Sequence, residues 1–289
     1  MKYYIVIPAH NEEAFLEKTL RSLSTQTLLP KKVVIVNDNS TDGTEDIIDS
    51  YCKAYGFYHK LNTSSSKEHL PGSKVINAFR KGLDLLDDDY GFMVKLDADL
   101  ILPKDYFETI ATIFKGNPEI GMAGGFVYEL DANNKWALDH PMDKKHVRGA
   151  FKAYTKACFK TIGGLKNAMG WDTVDELLAQ YHGFGIKTVD ELRVKHLRPT
   201  GKAYDPKAKL MQGEAMYAMD YGFLLTFIAS LKMALKQKNI KTLYHNMKGF
   251  FKANGDNHQK MVTPEEGSFI RKLRWRGIKN KIIPIKKAS

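Results

Sequence analysis

Residues 92–99 read Phe-Met-Val-Lys-Leu-Asp-Ala-Asp, a mostly apolar run that ends in two carboxylates one residue apart. The first five residues predict a short strand that is buried in a sheet. Asp97 and Asp99 follow the strand directly, at the end where open α/β sheets bind ligands. Carboxylates at this spacing can hold Mg²⁺ or Mn²⁺ with positions left open for phosphate oxygens. The alternative is a solvated turn.

The chain before this stretch alternates short apolar runs with amphipathic segments. Residues 3–7 and 33–36 predict two more buried strands, and residues 57–59 predict a short one. Apolar residues at helical spacing predict helices between them, at 44–55 and 73–86 among others. Strand followed by helix, repeated, is typical of a parallel sheet covered by helices. The first hundred residues therefore predict an α/β nucleotide-binding half.

The rest of the chain is less regular. Its predicted elements are a strand at 121–128, a polar loop at 131–148, a helix at 155–162, an acidic helix from about residue 172, a strand at 186–194 and helices over 206–250. We expect one α/β domain over residues 1–205, with halves 1–100 and 101–205. A helical, basic region over residues 206–289 follows.

Net charge is distributed unevenly along the 289 residues. The formal charge of +11 suggests an anionic partner. Residues 1–231, however, hold 29 basic and 30 acidic side chains, whereas residues 232–289 hold 15 basic and 3 acidic ones. The body of the chain is therefore near neutral, and we expect no nucleic-acid partner.

The sequence lacks three features that would indicate a secreted or membrane-spanning protein. The two cysteines, Cys52 and Cys158, are too few for a disulfide framework and favour a reducing compartment. The N-terminus carries no signal-peptide pattern. The most apolar stretch, residues 221–235, contains Lys232 and is too short to span a membrane. Together these absences predict a cytoplasmic protein.

Polar groups also follow the first two predicted strands. Residues 37–43 read Asn-Asp-Asn-Ser-Thr-Asp-Gly. Asp38 can accept the ring N–H of a pyrimidine base or simply form the turn, and residues 40–42 suit a helix cap. The first strand ends in a polar cluster that also fits a strand terminus and helix cap, and its candidate residues are Pro8, Ala9, His10 and Glu12.

In their order along the chain, the polar cluster after the first strand, the loop at 37–43 and the two carboxylates at 97 and 99 resemble the motifs of the nucleotide-sugar-dependent glycosyltransferases of family 2, which have the type A fold. The resemblance implies an α/β fold with a Rossmann-like mixed sheet flanked by helices. Asn37 and Asn39 replace an acidic residue and a glycine of the family's second motif, and Asp38 remains as the candidate for the uracil contact. The nucleotide-sugar site would include Asp97, Ala98 and Asp99.

The resemblance implies further contacts to the donor. A basic, Gly-containing segment precedes the metal motif in the family, and residues 71–74 with 80–83 are similar to it. Lys74 or Arg80 would reach the nucleotide or diphosphate, although helix-surface cations are also commonly just solvated. His196, in the loop after the last predicted strand, would be a further metal ligand beside Asp99 and Asp97, or a diphosphate contact. Its other interpretation is structural.

The family's catalytic base lies in an acidic motif at a helix N-terminus. Counting back from Gly183, Asp172 falls at the position of the family's Asp, and Trp171 replaces the Glu before it. Asp175 and Glu176 are alternative bases. An acidic first helical turn without catalytic role is the other interpretation.

The resemblance thus implies a metal-dependent inverting glycosyltransferase. It would use Mn²⁺ or Mg²⁺ and a nucleoside diphosphate sugar, with UDP the expected nucleotide. The acceptor would be a hydroxyl of a glycan or lipid-linked molecule in cell-envelope polysaccharide synthesis. The basic tail at residues 271–279, with Trp275 among its cations, suggests peripheral contact with the inner membrane face.

The sequence fits three other classes of protein less well. A nicotinamide-dependent Rossmann oxidoreductase needs Gly-x-Gly-x-x-Gly after the first strand, and residues 8–12 lack it. A sugar-phosphate nucleotidyltransferase needs a Gly-rich basic loop there, which is also absent. A non-enzymatic nucleotide-binding or membrane-surface protein would account for the basic tail but not for the acidic motifs.

Overall fold

The computed structural model describes residues 1–64, 73–131, 133–138, 146–198 and 208–282. The chain forms two compact units, one of Met1–Asn167 with His182–Lys202 and one of Ala168–Tyr181 with Ala203–Ser289. This grouping differs from the predicted division at residue 205, because residues 168–181 pack with the C-terminal helices. The extent of the functional domain stays a prediction.

The first unit contains a sheet of nine strands among the described residues. They are β1 (Tyr3–Ala9), β2 (Lys32–Asp38), β3 (Tyr58–Thr63), β4 (Phe92–Leu96), β5 (Leu100–Ile101), β6 (Ile120–Leu130), β7 (Trp136–Leu138), β8 (Phe151–Thr155) and β9 (Gly185–His196). Their order across the sheet is β3-β2-β1-β4-β8-β6-β9-β5, and β7 pairs with β6.

The sheet is mixed, which confirms the predicted fold class. Strands β3, β2, β1 and β4 are parallel, whereas β8 runs antiparallel to both β4 and β6. The apolar side chains of β1, β2 and β4 are buried on both faces, as expected for parallel strands covered by helices. The polar residues that follow these three strands therefore share one edge of the sheet.

Helices of the first unit pack closely on this sheet. They are α1 (Leu16–Ser24), α2 (Thr44–Ala54), α3 (Ser73–Leu83), α4 (Tyr106–Gly116) and α5 (Lys156–Thr161). Helix α3 approaches most closely at Gly82, where a Cβ atom would lie 2.4 Å from Val6 Cγ1 and 2.8 Å from Val36 Cγ2. The glycine lets the helix backbone rest on the apolar surface of β1 and β2.

Three strands are absent from the predicted elements, and one of them, β5, has only two residues. Strand β8 holds Lys152, which is fully buried, and a lysine normally indicates a solvent-exposed position. Strand β7 lies inside the predicted loop at 131–148 and has only three residues, so it carries too little periodicity to be recognised. Residues 139–145 of that loop lie outside the described residues.

The second unit is helical in its described part. It consists of α6 (Trp171–Tyr181), α7 (Ala208–Ala218), α8 (Gly222–Lys236), α9 (Lys241–Gly255) and α10 (Pro264–Ile282). Helices α7 and α9 meet backbone to backbone, because a Cβ on Gly213 would lie 1.8 Å from the Asn246 carbonyl oxygen and one on Gly249 2.0 Å from that of Leu210. No helix in the described part of the chain is long and apolar enough to cross a membrane.

Candidate functional site

A cleft of about 630 Å³ lies where β1, β2 and β4 end. Its lining consists of Pro8, Ala9, His10, Glu12, Asp38, Asn39, Lys74, Val75, Ala78, Asp97, Ala98, Asp99 and Arg198. Nine of the ten residues predicted to bind the donor are therefore brought together, although they come from four separate segments. Arg80 is the tenth and lies outside this lining. Its guanidinium donates to the Leu165 carbonyl oxygen at 2.8 Å.

Hydrogen bonds fasten the loop after β1 to the loop after β2. The backbone N–H of Asn11 donates to Ser40 Oγ at 3.1 Å, and that of Thr41 donates to Asn11 Oδ1 at 2.8 Å. The Gly43 N–H donates to Glu13 Oε2 at 3.0 Å. Asn11 has a left-handed φ of 54°, which asparagine tolerates better than most residues. The two sequence motifs therefore form one fixed rim of the cleft.

Asp38 offers an acceptor oxygen inside the cleft. Its side chain is buried, and its Oδ1 has no hydrogen-bond partner within the described residues. The backbone carbonyl of Asp38 is held by His10, whose Nδ1 lies 2.7 Å away. A buried carboxylate oxygen without a partner is costly, so it indicates a position where a ligand supplies the donor.

Asp99 also has a buried oxygen, Oδ1, that is unpartnered in the ranges the structure describes. Its other oxygen, Oδ2, lies 3.3 Å from Nε2 of His196 and 3.8 Å from Nε of Arg198. Nδ1 of His196 lies 2.8 Å from Oε1 of Glu129, the penultimate residue of β6. Asp99, His196 and Glu129 thus form a continuous polar chain in which the imidazole is held at both nitrogens.

The carboxylates on either side of His196 control its protonation. Burial by itself lowers the pKa of the imidazole, but the hydrogen bonds and charges of Asp99 and Glu129 outweigh burial, and the net pKa is raised. Sequence reasoning did not identify Glu129. The feature of the sequence that could have identified Glu129 is its position as a carboxylate at the carboxyl end of a predicted buried strand.

Asp97 is paired with a lysine from its own strand. Nζ of Lys95 forms an ion pair with Asp97 Oδ1, and the lysine is buried, whereas the Asp97 side chain is one-third exposed. Lys95 is a second residue that the motif analysis missed, although a lysine within an apolar strand was a visible signal. The ion pair occupies one carboxylate oxygen of Asp97.

Glu12 and Arg198 form an ion pair in the lining of the cleft, with Oε2 and Nη2 2.6 Å apart. Burial raises the pKa of Glu12 to about 7. The Arg198 charge opposes this shift, and the charges of Asp99, Asp97 and Asp42 add to it. Arg198 follows the predicted loop histidine and was not among the predicted site residues. It brings a cation into a cleft that holds four carboxylates.

Residues 4–170 match the family model described as "Glycosyl transferase family 2". The chain belongs to this family. In the curated relative "Probable glycosyltransferase YdaM" of Bacillus subtilis, 32% of 80 aligned residues are identical, which is 27% of this chain and 19% of that protein. The chain therefore spans only a minor part of this relative.

Solved structures with similar folds are glycosyltransferases of type A. Staphylococcus aureus TarS 1-349, crystallised with UDP-GlcNAc, has a TM-score of 0.56 and 19% identity, and the match covers 75% of this chain and 67% of that one. The mannosyltransferase PcManGT of Pyrobaculum calidifontis, crystallised with GDP-Man and Mn²⁺, has a TM-score of 0.56 and 14% identity. This match covers 96% of the present chain and 80% of the mannosyltransferase chain. These likenesses confirm the predicted type A fold.

Asp99 has a carboxylate oxygen in the cleft of this family 2 protein that no other described residue engages, so it is open to a metal ion. Within residues 1–64, 73–131, 133–138, 146–198 and 208–282, no three His, Cys, Asp or Glu side chains are grouped to hold a metal by themselves. Mg²⁺ and similar cations are commonly held by one or two carboxylates together with substrate phosphates. The unpartnered Oδ1 of Asp99 fits such a shared cation.

The three candidate bases lie on α6, in the second unit. Asp172 is half-buried in the first helical turn, whereas Asp175 and Glu176 are buried. The Glu176 N–H donates to Asp175 Oδ1 at 2.6 Å. Burial distinguishes Asp172 from its two alternatives as the most accessible carboxylate.

Residues 71–72 of the predicted basic segment lie outside the described residues.

Proposed function

We propose that the chain is a metal-dependent inverting glycosyltransferase. It moves a sugar from a nucleoside diphosphate sugar, with UDP as the expected nucleotide, to a hydroxyl of a glycan or lipid-linked acceptor. The observation that carries this proposal is that Asp38 and Asp99 each have a buried carboxylate oxygen that no other described residue engages, within one cleft at the strand ends. Each is an acceptor that a bound donor molecule would satisfy.

The donor lies across the strand ends in this proposal. Asp38 accepts an N–H of the base, and Lys74 and Arg198, which line the same cleft, face the negative diphosphate. The rim formed by the two motif loops fixes Asp38 before the ligand arrives. Binding of UDP-GlcNAc by TarS and of GDP-Man by PcManGT supports this class of donor.

Asp99 is the residue that would hold Mn²⁺ or Mg²⁺, and His196 and Asp97 are further candidate ligands. The ion would supply positive charge where negative charge develops on the leaving diphosphate. For His196 to bind it, the imidazole must give up the proton that Asp99 and Glu129 favour. The crystals of PcManGT with Mn²⁺ support a divalent ion in this fold.

Asp172 is the general base in this proposal. It accepts the proton of the acceptor hydroxyl while that oxygen forms a bond to the anomeric carbon and the bond to the diphosphate breaks. Attack from the face opposite the leaving group inverts the anomeric centre. Asp172 is favoured over Asp175 and Glu176 because those side chains are buried.

The proposal also includes a location and a role. The protein would act in the cytoplasm, at the inner membrane face, in the synthesis of envelope polysaccharide. On α10 the side chains of Lys272, Arg276 and Lys279 are exposed at helical spacing, which suits contact with anionic lipid. Arg271 and Arg274 of the same tail are used internally, since they donate to Asp220 and to the Tyr221 hydroxyl.

A binding and turnover panel tests the proposal. The protein is titrated with UDP-, GDP-, TDP- and CMP-sugars, each with Mn²⁺, Mg²⁺ or a chelator, and melting temperature and release of free nucleotide are measured. We expect one nucleotide class to raise the melting temperature by several degrees with metal, since ligand binding stabilises the native state. Asp38→Ala should remove the base preference and Asp99→Ala the metal dependence.

Asp105→Ala is the matched control, because Asp105 is exposed and its side chain makes no capping bond to the described residues of α4. It should behave as wild type. Absence of binding and of nucleotide release with every sugar and metal would contradict the proposal.

A further inference from the structure

Helix α8 has its side chains distributed opposite to the usual arrangement. Its buried positions carry Leu225, Thr226, Ser230 and Ala234, of which two are hydroxyl residues. Its exposed positions carry large apolar side chains, with Phe223 and Leu224 each 53% exposed and Phe227 also exposed. Contiguous apolar side chains in water mark a surface that something else covers.

Helix α9 adds a second exposed stripe. Its buried face consists of Asn246, Gly249, Phe250 and Ala253, which are spaced three and four residues apart. The opposite face carries basic and aromatic residues in alternation, and they are Lys241, Tyr244, Lys248 and Phe251. Tyr244 is 61% exposed and Phe251 56%. The stripe is amphipathic in itself, because aromatic and basic residues alternate along it at helical spacing.

The two stripes form one surface. The ring centroid of Phe223 lies 6.4 Å from that of Phe227 on the same helix and 5.9 Å from that of Phe251 on α9. We call this surface the α8–α9 face, formed by Phe223, Leu224, Phe227, Lys241, Tyr244, Lys248 and Phe251. All of it belongs to the second unit, so its continuity depends only on these two helices.

The charge of these helices indicates what covers the face. Residues 222–255 contain six lysines and no aspartate or glutamate. Glu214 of α7 reaches Lys252 at 3.2 Å, at one end of α9. A second copy of the chain would bring lysines against lysines, which disfavours self-association. An anionic surface with an apolar interior matches both the charge and the apolar side chains.

We propose that the α8–α9 face binds an anionic lipid bilayer, with its aromatic and leucine side chains at the acyl boundary and its lysines against lipid phosphates. Interfacial helices combine basic residues with Phe and Leu in this way. The inference rests on unit two alone and goes beyond the proposed transfer reaction. It also differs from contact through the basic tail, which lacks an exposed aromatic cluster among its described side chains.

Vesicle binding of the full chain tests the proposal. Phosphatidylcholine vesicles with and without phosphatidylglycerol are used in flotation assays. We expect the double variant Phe223→Ser with Phe251→Ser to bind phosphatidylglycerol vesicles about tenfold more weakly or worse. Lys241→Glu with Lys248→Glu should lose binding by a similar factor, most strongly at low salt, since two charges near the lipid surface are reversed.

Matched controls come from the first unit. Leu29→Ser with Leu85→Ser changes two exposed leucines, and Lys53→Glu with Lys115→Glu reverses two exposed lysines. Both should bind vesicles as wild type. A direct measurement uses Phe251→Trp, whose fluorescence should be quenched by brominated lipid in phosphatidylglycerol vesicles.

Three results would overturn the proposal. One is wild-type vesicle binding by both face variants, and another is loss of binding only when Lys272, Arg276 and Lys279 are changed to Glu. The third is a dimer in wild type that the face variants convert to monomer. Nucleotide binding without vesicles is measured in parallel, so failure of the proposed reaction is recognised separately from failure of the lipid surface.

Discussion

The cleft of the first unit and the α8–α9 face of the second depart from normal burial in opposite directions. The cleft buries Asp38 and Asp99, each with an oxygen that lacks a partner among the described residues, whereas the face exposes Phe223 and Phe251 to water. The unsatisfied polar atoms of the cleft lower the free energy of unfolding, and the exposed apolar area of the face adds none of the stability that its burial would give. Mismatch between a residue's chemistry and its burial therefore identifies both surfaces.

The largest effect is expected from a substitution that removes the proposed catalytic base and leaves both the cleft and the α8–α9 face unchanged. Asp172→Asn should lower the rate of sugar transfer about 10²–10⁴-fold, because a general base contributes that much. Nucleotide binding, measured calorimetrically, and vesicle binding should both be unchanged. The variant keeps the size of the side chain, so the fold should be preserved.

The other two acids of α6 are the matched controls. Asp175 and Glu176 are buried, so Asp175→Asn and Glu176→Gln should chiefly lower the free energy of unfolding, by about 1–3 kcal/mol. A large loss of rate with unchanged stability in either control, together with an active Asp172→Asn, would assign the base to that residue instead.

The second prediction concerns Glu129 and sharpens the role of the cleft. Glu129→Ala should weaken Mn²⁺ binding in the presence of the nucleotide about 10–100-fold, because the carboxylate holds His196 by Nδ1. Glu129→Gln keeps an acceptor oxygen and should recover part of the affinity. Electron paramagnetic resonance of free Mn²⁺ measures both.

Glu119→Gln is the control for this measurement, because Glu119 is exposed just before β6. Its affinity for Mn²⁺ should equal that of wild type. If Glu129→Ala also binds Mn²⁺ normally, His196 is not oriented for a metal by Glu129.

The third prediction tests the sheet beneath the cleft. Gly82→Ala should lower the free energy of unfolding by about 1–3 kcal/mol, because its Cβ would overlap the methyl groups of Val6 and Val36. Gly56→Ala is the control, since no atom of the described residues beyond its chain neighbours lies within 4 Å of its Cβ position. Urea unfolding compares the two, and equal midpoints would show that α3 shifts without cost.

The last prediction is a change in pH dependence at Glu12. Its pKa rises from the ordinary 4.5 to about 7 on folding, mainly through burial, so the unfolded chain releases this proton first. Glu12 therefore lowers stability as the pH rises from about 4.5 to about 7. Glu12→Gln, unfolded by urea in chelator at several pH values, should show a flatter profile there. An unchanged slope would mean that Glu12 is not desolvated.

The sequence was sufficient to predict the strands that carry the cleft, because their local residue pattern agrees with their position in the fold. Strands β1, β2 and β4 are dense in β-branched or aromatic residues, and polar groups follow each of them directly. The carboxyl ends of parallel neighbouring strands meet, so residues as distant as Glu12 and Asp99 were expected in one site. The structure places them around one cleft.

Sequence could not predict the parts that depend on partners far along the chain. Lys152 is buried in β8, where it stands in register with Lys95 of β4, and no local pattern predicts two buried lysines across from each other. Glu129 and His196 are 67 positions apart and meet because β6 and β9 pair in parallel. The α8–α9 face was partly visible as an apolar helix, but only burial shows which side is exposed.

The position of β8 has a consequence for how the chain is made. β4 is hydrogen-bonded to β1 on one side and to β8 on the other, yet β8 begins more than fifty residues after β4 ends. At ordinary rates of synthesis this gap lasts about 3–11 s. During that time β4, all of whose residues are buried in the finished fold, is an open edge strand, which can pair with strands of other chains. Fragments that end between the two strands should therefore aggregate, and the full chain is most vulnerable before it leaves the ribosome.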